Sequence, residues 1–262
     1  MSAQASPKYI NKLASRRILI LGGTSGVGFA VAQAALEYGA IVTISSSNPA
    51  KLERALSRLD SANANGAVCD LADTDKIEEN LVALFNFATS NGQYKLDHVV
   101  FTAGDALKVT PVSEATPEAV TKASVVRFVA PVMVAKVMRV FVKESHEASL
   151  TLTGGTNSVK PMRDWSIIAG VGTAVEGLVR GFAVDLRPVR VNGIVLGAVH
   201  TELFDSIGQG EQLEAMLDKF RRETLTGTVG RPEDVAEAYL YVMRDSFVTG
   251  SLISTDGGRL LA

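Results

Sequence analysis

The stretch Leu19-Ile20-Leu21-Gly22-Gly23-Thr24-Ser25-Gly26-Val27-Gly28-Phe29-Ala30 narrows most sharply what this chain can fold into. Ile18 to Leu21 is an apolar run of the kind a parallel sheet buries on both faces. Three glycines follow, Gly22, Gly26 and Gly28, and apolar residues then recur at helical spacing, Val31, Ala35 and Leu36. A strand that turns through glycines into a helix makes an anion site. The glycines let backbone approach a phosphate, and the helix N-terminus supplies free N–H groups and partial positive charge. The spacing Gly-x-x-x-Gly-x-Gly departs from Gly-x-Gly-x-x-Gly, with the same mechanics. The stretch reads as a dinucleotide site; a glycine-rich turn without a ligand is the alternative.

At 262 residues the chain has room for one large α/β domain. A net charge of −2 offers no basic face for nucleic acid. One cysteine, Cys69, excludes an internal disulfide and fits a reducing compartment. No uninterrupted apolar run reaches membrane-spanning length. The polar start, Met1 to Lys12, lacks a signal-type apolar core and reads as a short arm. The expectation is a cytoplasmic protein with no membrane or nucleic-acid partner.

Strand and helix patterns alternate along the chain, which predicts an α/β fold, a Rossmann-type doubly wound, seven-stranded parallel sheet with helices on both faces. Predicted strands are Arg17–Leu21, Ile41–Ile44, Ala67–Cys69, His98–Phe101, Leu150–Thr153, Val189–Val195 and Ser251–Ser254. Predicted helices end near Tyr38, open at Pro49, run from about Asp73 to Asn91, from Pro117 to Ser145 with a kink at Pro131, from Asp164 to Leu186, and from Pro232 to Arg244. Residues 1–262 read as one domain, with a substrate lid at about 200–225, one or two helices over the site. His98 reads as a strand-edge residue and His146 as a helix-end residue. No His, Cys and carboxylate cluster has metal-ligand spacing, so no metal is expected.

Several further motifs resemble the short-chain dehydrogenase/reductase family. Gly22, Gly26 and Gly28 fit its cofactor glycines, with Leu21 where threonine is usual. Cys69-Asp70-Leu71 matches the pair that holds adenine, and Thr102-Ala103-Gly104 the end of its Asn-Asn-Ala-Gly turn. Arg190-Val191-Asn192-Gly193 matches the sixth strand. Leu196-Gly197-Ala198-Val199-His200-Thr201 resembles Pro-Gly-x-x-x-Thr. Gly230-Arg231-Pro232-Glu233-Asp234-Val235-Ala236 and Asp256-Gly257-Gly258 match the C-terminal signatures. The resemblance implies a nicotinamide cofactor held by Gly22, Thr24, Ser25, Gly26, Val27, Gly28, Asp70, Leu71, Thr102, Ala103, Gly104, Arg127, Gly197, Val199 and Thr201. The second strand exits through Ser45-Ser46-Ser47-Asn48, with no acid to repel a 2′-phosphate, and Ser25, Ser46 and Ser47 can donate to it. The expected cofactor is therefore NADP(H).

The family's proton machinery, an Asn, a Ser and a Tyr-x-x-x-Lys pair, is missing. Glu176-Gly177-Leu178 and Asp185-Leu186 set the register of the fifth helix, and the Tyr position falls on Ile168 and the Lys position on Gly172. No register slip repairs this: there is no Tyr between Tyr94 and Tyr239 and no Lys between Lys160 and Lys219. The Ser position falls on Gly154 or Gly155, and the Asn position on Arg127.

Three residues are the catalytic candidates. Asp164 is four residues before Ile168, which places it on the same helix face one turn earlier; it reads either as the helix N-cap or as a carboxylate facing substrate. Trp165, the single tryptophan, reads as packing or as the pocket mouth. Arg127 is either an ordinary ion-paired helix arginine or a site residue that holds the nicotinamide end, partners Asp164 or binds a substrate carbonyl. Asp105 reads first as a turn cap.

Ketone reduction creates an alkoxide and needs a proton donor, a group worth about 10²–10⁴ in rate. An iminium ion already carries the charge and needs hydride alone. The chain is similar to a fungal group of this family without the tetrad, NADPH-dependent reductive cyclases and Diels–Alderases of indole-alkaloid biosynthesis. That resemblance implies a small-molecule, iminium-type substrate. A redox-neutral cyclase and a non-catalytic NADP(H)-binding regulator remain open. The family's pairing of its fourth and fifth helices, with Gly170, Gly172, Ala174, Gly177 and Gly181 here, implies a homo-oligomer, expected as a tetramer.

Overall fold

The computed structural model describes residues 8–106, 109–205 and 210–262. Seven parallel strands form one sheet in the order β3-β2-β1-β4-β5-β6-β7. They are β1 Arg17–Leu21, β2 Ile41–Ser46, β3 Ala64–Val68, β4 His98–Phe101, β5 Ser149–Gly155, β6 Arg190–Leu196 and β7 Leu252–Thr255. The helices are α1 Gly26–Glu37, α2 Pro49–Leu59, α3 Ile77–Ala88, α4 Pro117–Ser124, α5 Ala130–Met138, α6 Ser166–Asp185, α7 Glu202–Asp205, α8 Glu211–Arg222 and α9 Pro232–Arg244. The expected doubly wound sheet is present.

The reason lies in the central strands. Side chains alternate across a sheet, and in β1 both sets are apolar. Leu19 and Leu21 enter a core with α3, α5 and α6; Ile18 and Ile20 enter the opposite core with α1, α2 and α9. A strand covered on both faces belongs inside a parallel sheet with a helical layer on each side.

Most boundaries fall within a few residues of expectation, and two differ. The expected third strand is displaced: Ala64–Val68 pairs with Val42–Ser46, and Cys69 only follows it. The expected helix from Pro117 to Ser145 is three pieces that stop at Met138, with a π-turn at Val125–Val129 in place of a simple kink. His146 accordingly lies beyond any helix. His98 opens β4 but is buried, sharing a hydrogen bond with Ser149 Oγ at 2.9 Å. Residues 1–7 of the expected arm and 206–209 of the expected lid lie outside the described residues. Among the described residues one helix, α6, has the length and mean hydropathy (20 residues, 1.5) of a membrane-crossing helix. It packs on β5 and β6 through Val175 and Val179, and Glu176 and Arg180 interrupt its apolar run.

At the sheet's N-terminal edge, Asp97 accepts hydrogen bonds from Lys143 Nζ (2.7 Å), Arg16 Nη1 (2.8 Å) and the Arg17 amide (2.9 Å). Burial alone would raise its pKa, but these bonds outweigh it and hold the carboxyl below its ordinary value. Burial pushes the pKa of neighbouring His98 down to about 3, against about 6.5 in an unfolded chain. Between those values the unfolded chain binds more protons, so stability falls as pH drops through that window. This group contributes at most about 1.4 kcal/mol per pH unit. The Asp97 contribution is present above its unfolded pKa of about 3.9 and is lost at lower pH. We therefore expect His98→Gln to flatten the decline of melting temperature between about pH 6.5 and 4; a decline as steep as wild type would contradict the assignment.

Candidate active site

The strand order reverses between β1 and β4, and connections leave those two strands in opposite directions. A crevice forms outside their C-terminal ends, and a cavity of about 620 Å³ fills it. Gly22, Thr24, Ser25, Gly26, Val27 and Gly28 line its glycine-turn side; Thr102, Ala103, Gly104, Gly197, Val199 and Thr201 line the facing strand ends. The fit between turn and strand is close. A Cβ at Gly22, where φ is +86°, would stand 2.6 Å from the Ala103 amide nitrogen, and one at Gly28 would stand 2.3 Å from the Gly22 carbonyl oxygen. Thr102 Oγ1 donates to the Leu21 carbonyl at 3.0 Å and points toward that of Gly22 at 3.3 Å. Only a chain without side chains at these points lets α1 start so near the sheet.

Ser46, Ser47, Asp70 and Leu71 line the far end of the cavity, together with Asn48 and Lys51. Asn48 Oδ1 accepts from the Lys51 amide at 3.0 Å and so caps α2. Sequence reasoning found the serines and missed Lys51. Its signal was the cap itself: Asn-Pro-Ala-Lys puts a cation in the first turn of a helix that starts at this end of the cavity.

Arg127, Trp165, Ile168 and Gly172 line the other end, with Gly154 and Gly155. Arg127 sits in the π-turn, where the Ala130 amide reaches back five residues to the Val125 carbonyl. In an α-helix the ring of Pro131 would clash with the carbonyl four residues earlier, which is that of Arg127. The wider turn relieves the clash, and π-turns of this kind recur at functional sites. The Arg127 guanidinium lies on Gly104, where a Cβ would be 2.8 Å from Nη2. Its Nε donates to Asp105 Oδ1 at 3.1 Å and its Nη2 to the Asp105 carbonyl. Burial lowers the Arg127 pKa while Asp105 opposes the shift. Arg127 is thus both ion-paired and in the cavity wall. Asp105 acts as its partner.

Asp164 departs from both of its expected positions. Helix α6 begins at Ser166 with Trp165 at the capping position, and Trp165 makes no side-chain capping bond. Asp164 has φ +67°, so the chain turns left-handed before the helix, and Asp164 does not share the helix face of Ile168 and Gly172. Its side chain is half exposed, 3.9 Å from Arg163, and outside the cavity wall.

Thr156, Asn157 and Arg259 also line the cavity and were missed. Asn157 Oδ1 lies 2.7 Å from a Cβ built at Gly155, and its Nδ2 lies 3.7 Å from one built at Gly172. An amide therefore stands between the Ser and Lys positions of the resembled motif. Buried Arg259 donates from Nη1 to Thr156 Oγ1 at 2.9 Å and to the Lys160 carbonyl at 3.1 Å. The polar run Thr156-Asn157-Ser158 after a strand was the available sign. Tyr239 is no replacement proton donor. It is fully buried, shares a hydrogen bond with Thr153 Oγ1 at 2.7 Å, and burial raises its pKa above the ordinary tyrosine value.

Comparison with known proteins agrees with this geometry. Residues 9–262 match the family described as an SDR-like Rossmann domain. The short-chain dehydrogenase/reductase malC of Malbranchea aurantiaca is 43% identical over 256 residues, covering 95% of this chain and 96% of malC. The solved structure of the MalC reductase/Diels-Alderase superposes with a TM-score of 0.91 at 42% identity, over 97% of this chain and 99% of that one. The short-chain dehydrogenase/reductase ucsE of an Acremonium species is 41% identical over 260 residues, 96% of this chain and 98% of ucsE. A small-chain dehydrogenase solved in complex with NADPH aligns at 26% identity with a TM-score of 0.74, over 95% of this chain and 100% of that one.

Proposed function

The chain belongs to the short-chain dehydrogenase/reductase family, and from that premise we propose that it is an NADPH-dependent reductase and cyclase. Its substrate in this reading is an iminium-type intermediate of fungal alkaloid metabolism, and reduction is coupled to a Diels–Alder ring closure. One observation carries the reading. Residues of the kind a dinucleotide needs line one end of the cavity, while Ile168, Gly172 and Gly155 line the other, at the positions where the family resemblance puts its proton machinery. A cationic C=N acceptor needs no such donor, whereas a ketone does. Similarity to the MalC reductase/Diels-Alderase supports the same chemistry.

NADPH, when bound, supplies the hydride. Gly22, Gly26 and Gly28 admit its diphosphate to the N-terminus of α1, Asp70 and Leu71 flank its adenine, and Ser46, Ser47 and Lys51 take the 2′-phosphate. Arg127 holds the nicotinamide end, oriented by Asp105, and Trp165 walls the substrate. The 1–262 unit works as one domain, with the segment at about 200–225 as its lid, in the reducing cytoplasm that suits the buried free thiol of Cys69. A second copy covers α6, where Cβ atoms at Gly170, Gly177 and Gly181 would meet nothing within 4 Å.

NADPH should bind more tightly than NADH. Lys51→Met should weaken NADPH about five- to tenfold while leaving NADH unchanged; equal losses for both cofactors would remove Lys51 from the phosphate subsite. Light scattering at micromolar concentration should give a multiple of the chain mass, and a one-chain mass would end the oligomer proposal. Small ketones should not oxidise NADPH at a useful rate, whereas a cyclic iminium substrate should. Asp164→Asn should leave melting temperature, NADPH affinity and turnover at wild-type values, because its side chain caps no helix and lies outside the cavity wall; a loss of about 10²–10³ in turnover would instead return it to the site. Product formed without NADPH oxidation would favour the redox-neutral cyclase, and no product at all the regulator.

A further inference from the structure

The N-terminus of α1 already holds an anion. Ser25, at the capping position, makes no side-chain capping bond, and the first turn contains no acid. The Gly26 amide donates instead to the Glu202 carboxylate, at 3.0 Å across 176 positions of sequence. Glu202 is the first residue of α7 and lines the same cavity as Ser25, Gly26 and Val27. The approach is tight: a Cβ at Gly26, where φ is +50°, would stand 3.0 Å from Thr201 Cγ2 and 3.6 Å from Glu202 Oε2. The other anchor of α7 is Phe204, stacked on Phe220 of α8 with ring centroids 5.6 Å apart. Met162, from the loop before Trp165, packs against the same pair. A short helix thus joins the α1 amides at one end to the apolar contacts of the lid at the other.

We propose that Glu202 is an internal stand-in for the cofactor's diphosphate, resting on the cofactor reading above. Its carboxylate satisfies the first amide of α1. A diphosphate arriving at that amide meets a like charge a few ångströms away, so the two compete for one positive helix end. Binding displaces the Glu202 carboxylate from the Gly26 amide.

The test compares wild type, Glu202→Gln and Glu202→Ala, titrated with NADPH and, separately, with inorganic pyrophosphate, and melted with and without saturating NADPH. Gln keeps the size and an acceptor oxygen but removes the charge. Both variants should bind both probes about three- to tenfold more tightly than wild type. Without ligand both should melt below wild type, having lost the charged cap; with NADPH saturating, that deficit should disappear. Equal or weaker NADPH binding by Glu202→Gln, or a melting deficit that persists in the saturated protein, would overturn the proposal and leave Glu202 as a structural cap. Failure of all three proteins to bind NADPH would instead overturn the cofactor reading, and this proposal with it.

Discussion

Thr102 ties the end of β4 to the end of β1. Its amide reaches the Leu21 carbonyl at 2.9 Å, and its hydroxyl reaches the same carbonyl at 3.0 Å. Those bonds hold together the two strands between which the sheet reverses its order. The glycine turn is pressed into the angle between them, with Gly22 against Ala103 and Gly28 against Gly22. Because the turn is so close, α1 points its positive end at the crevice rather than past it. The rest of the cavity hangs on this corner: the serines of β2 at one end, the β5 exit at the other, and α7 across the top.

The end of the cavity opposite Ser46 and Lys51 is walled by apolar side chains, an amide and paired cations. Ile168 and Gly172 offer neither a proton nor a cation, and the Asn157 amide occupies the space beside Gly155 and Gly172. The remaining cations are both restrained. Arg127 is held by Asp105, and Arg259 by Thr156 and the Lys160 carbonyl. Pro131 contributes indirectly, since the turn it widens is the one that carries Arg127.

Carboxylates at α7 and just after α8 tie these helices to α1 and to Arg259. Glu202 reaches α1, and Glu223, just after α8, lies 3.4 Å from Arg259. Phe204, Leu217 and Phe220 form a small apolar cluster between them, separate from the two cores of the sheet.

The sequence by itself determined the sheet, because strand burial on both faces and glycine punctuation are local properties of the chain. Ile18 to Leu21, the alternation of elements and the missing Tyr and Lys were all legible there. The glycine turn and the serines at the end of β2 were legible as well, and they line the cavity. Tertiary structure alone decided what depends on distant partners or on a single dihedral angle. Asp164 sits off the helix face because its backbone turns left-handed one residue before Trp165. His98 is buried because β1 and β5 flank it. Lys51, Asn157 and Arg259 enter the cavity from elements whose periodicity carries no mark of that destination. The contact between Gly26 and Glu202 spans most of the chain. No spacing rule reaches that far, since only packing of the lid on the sheet brings those residues together.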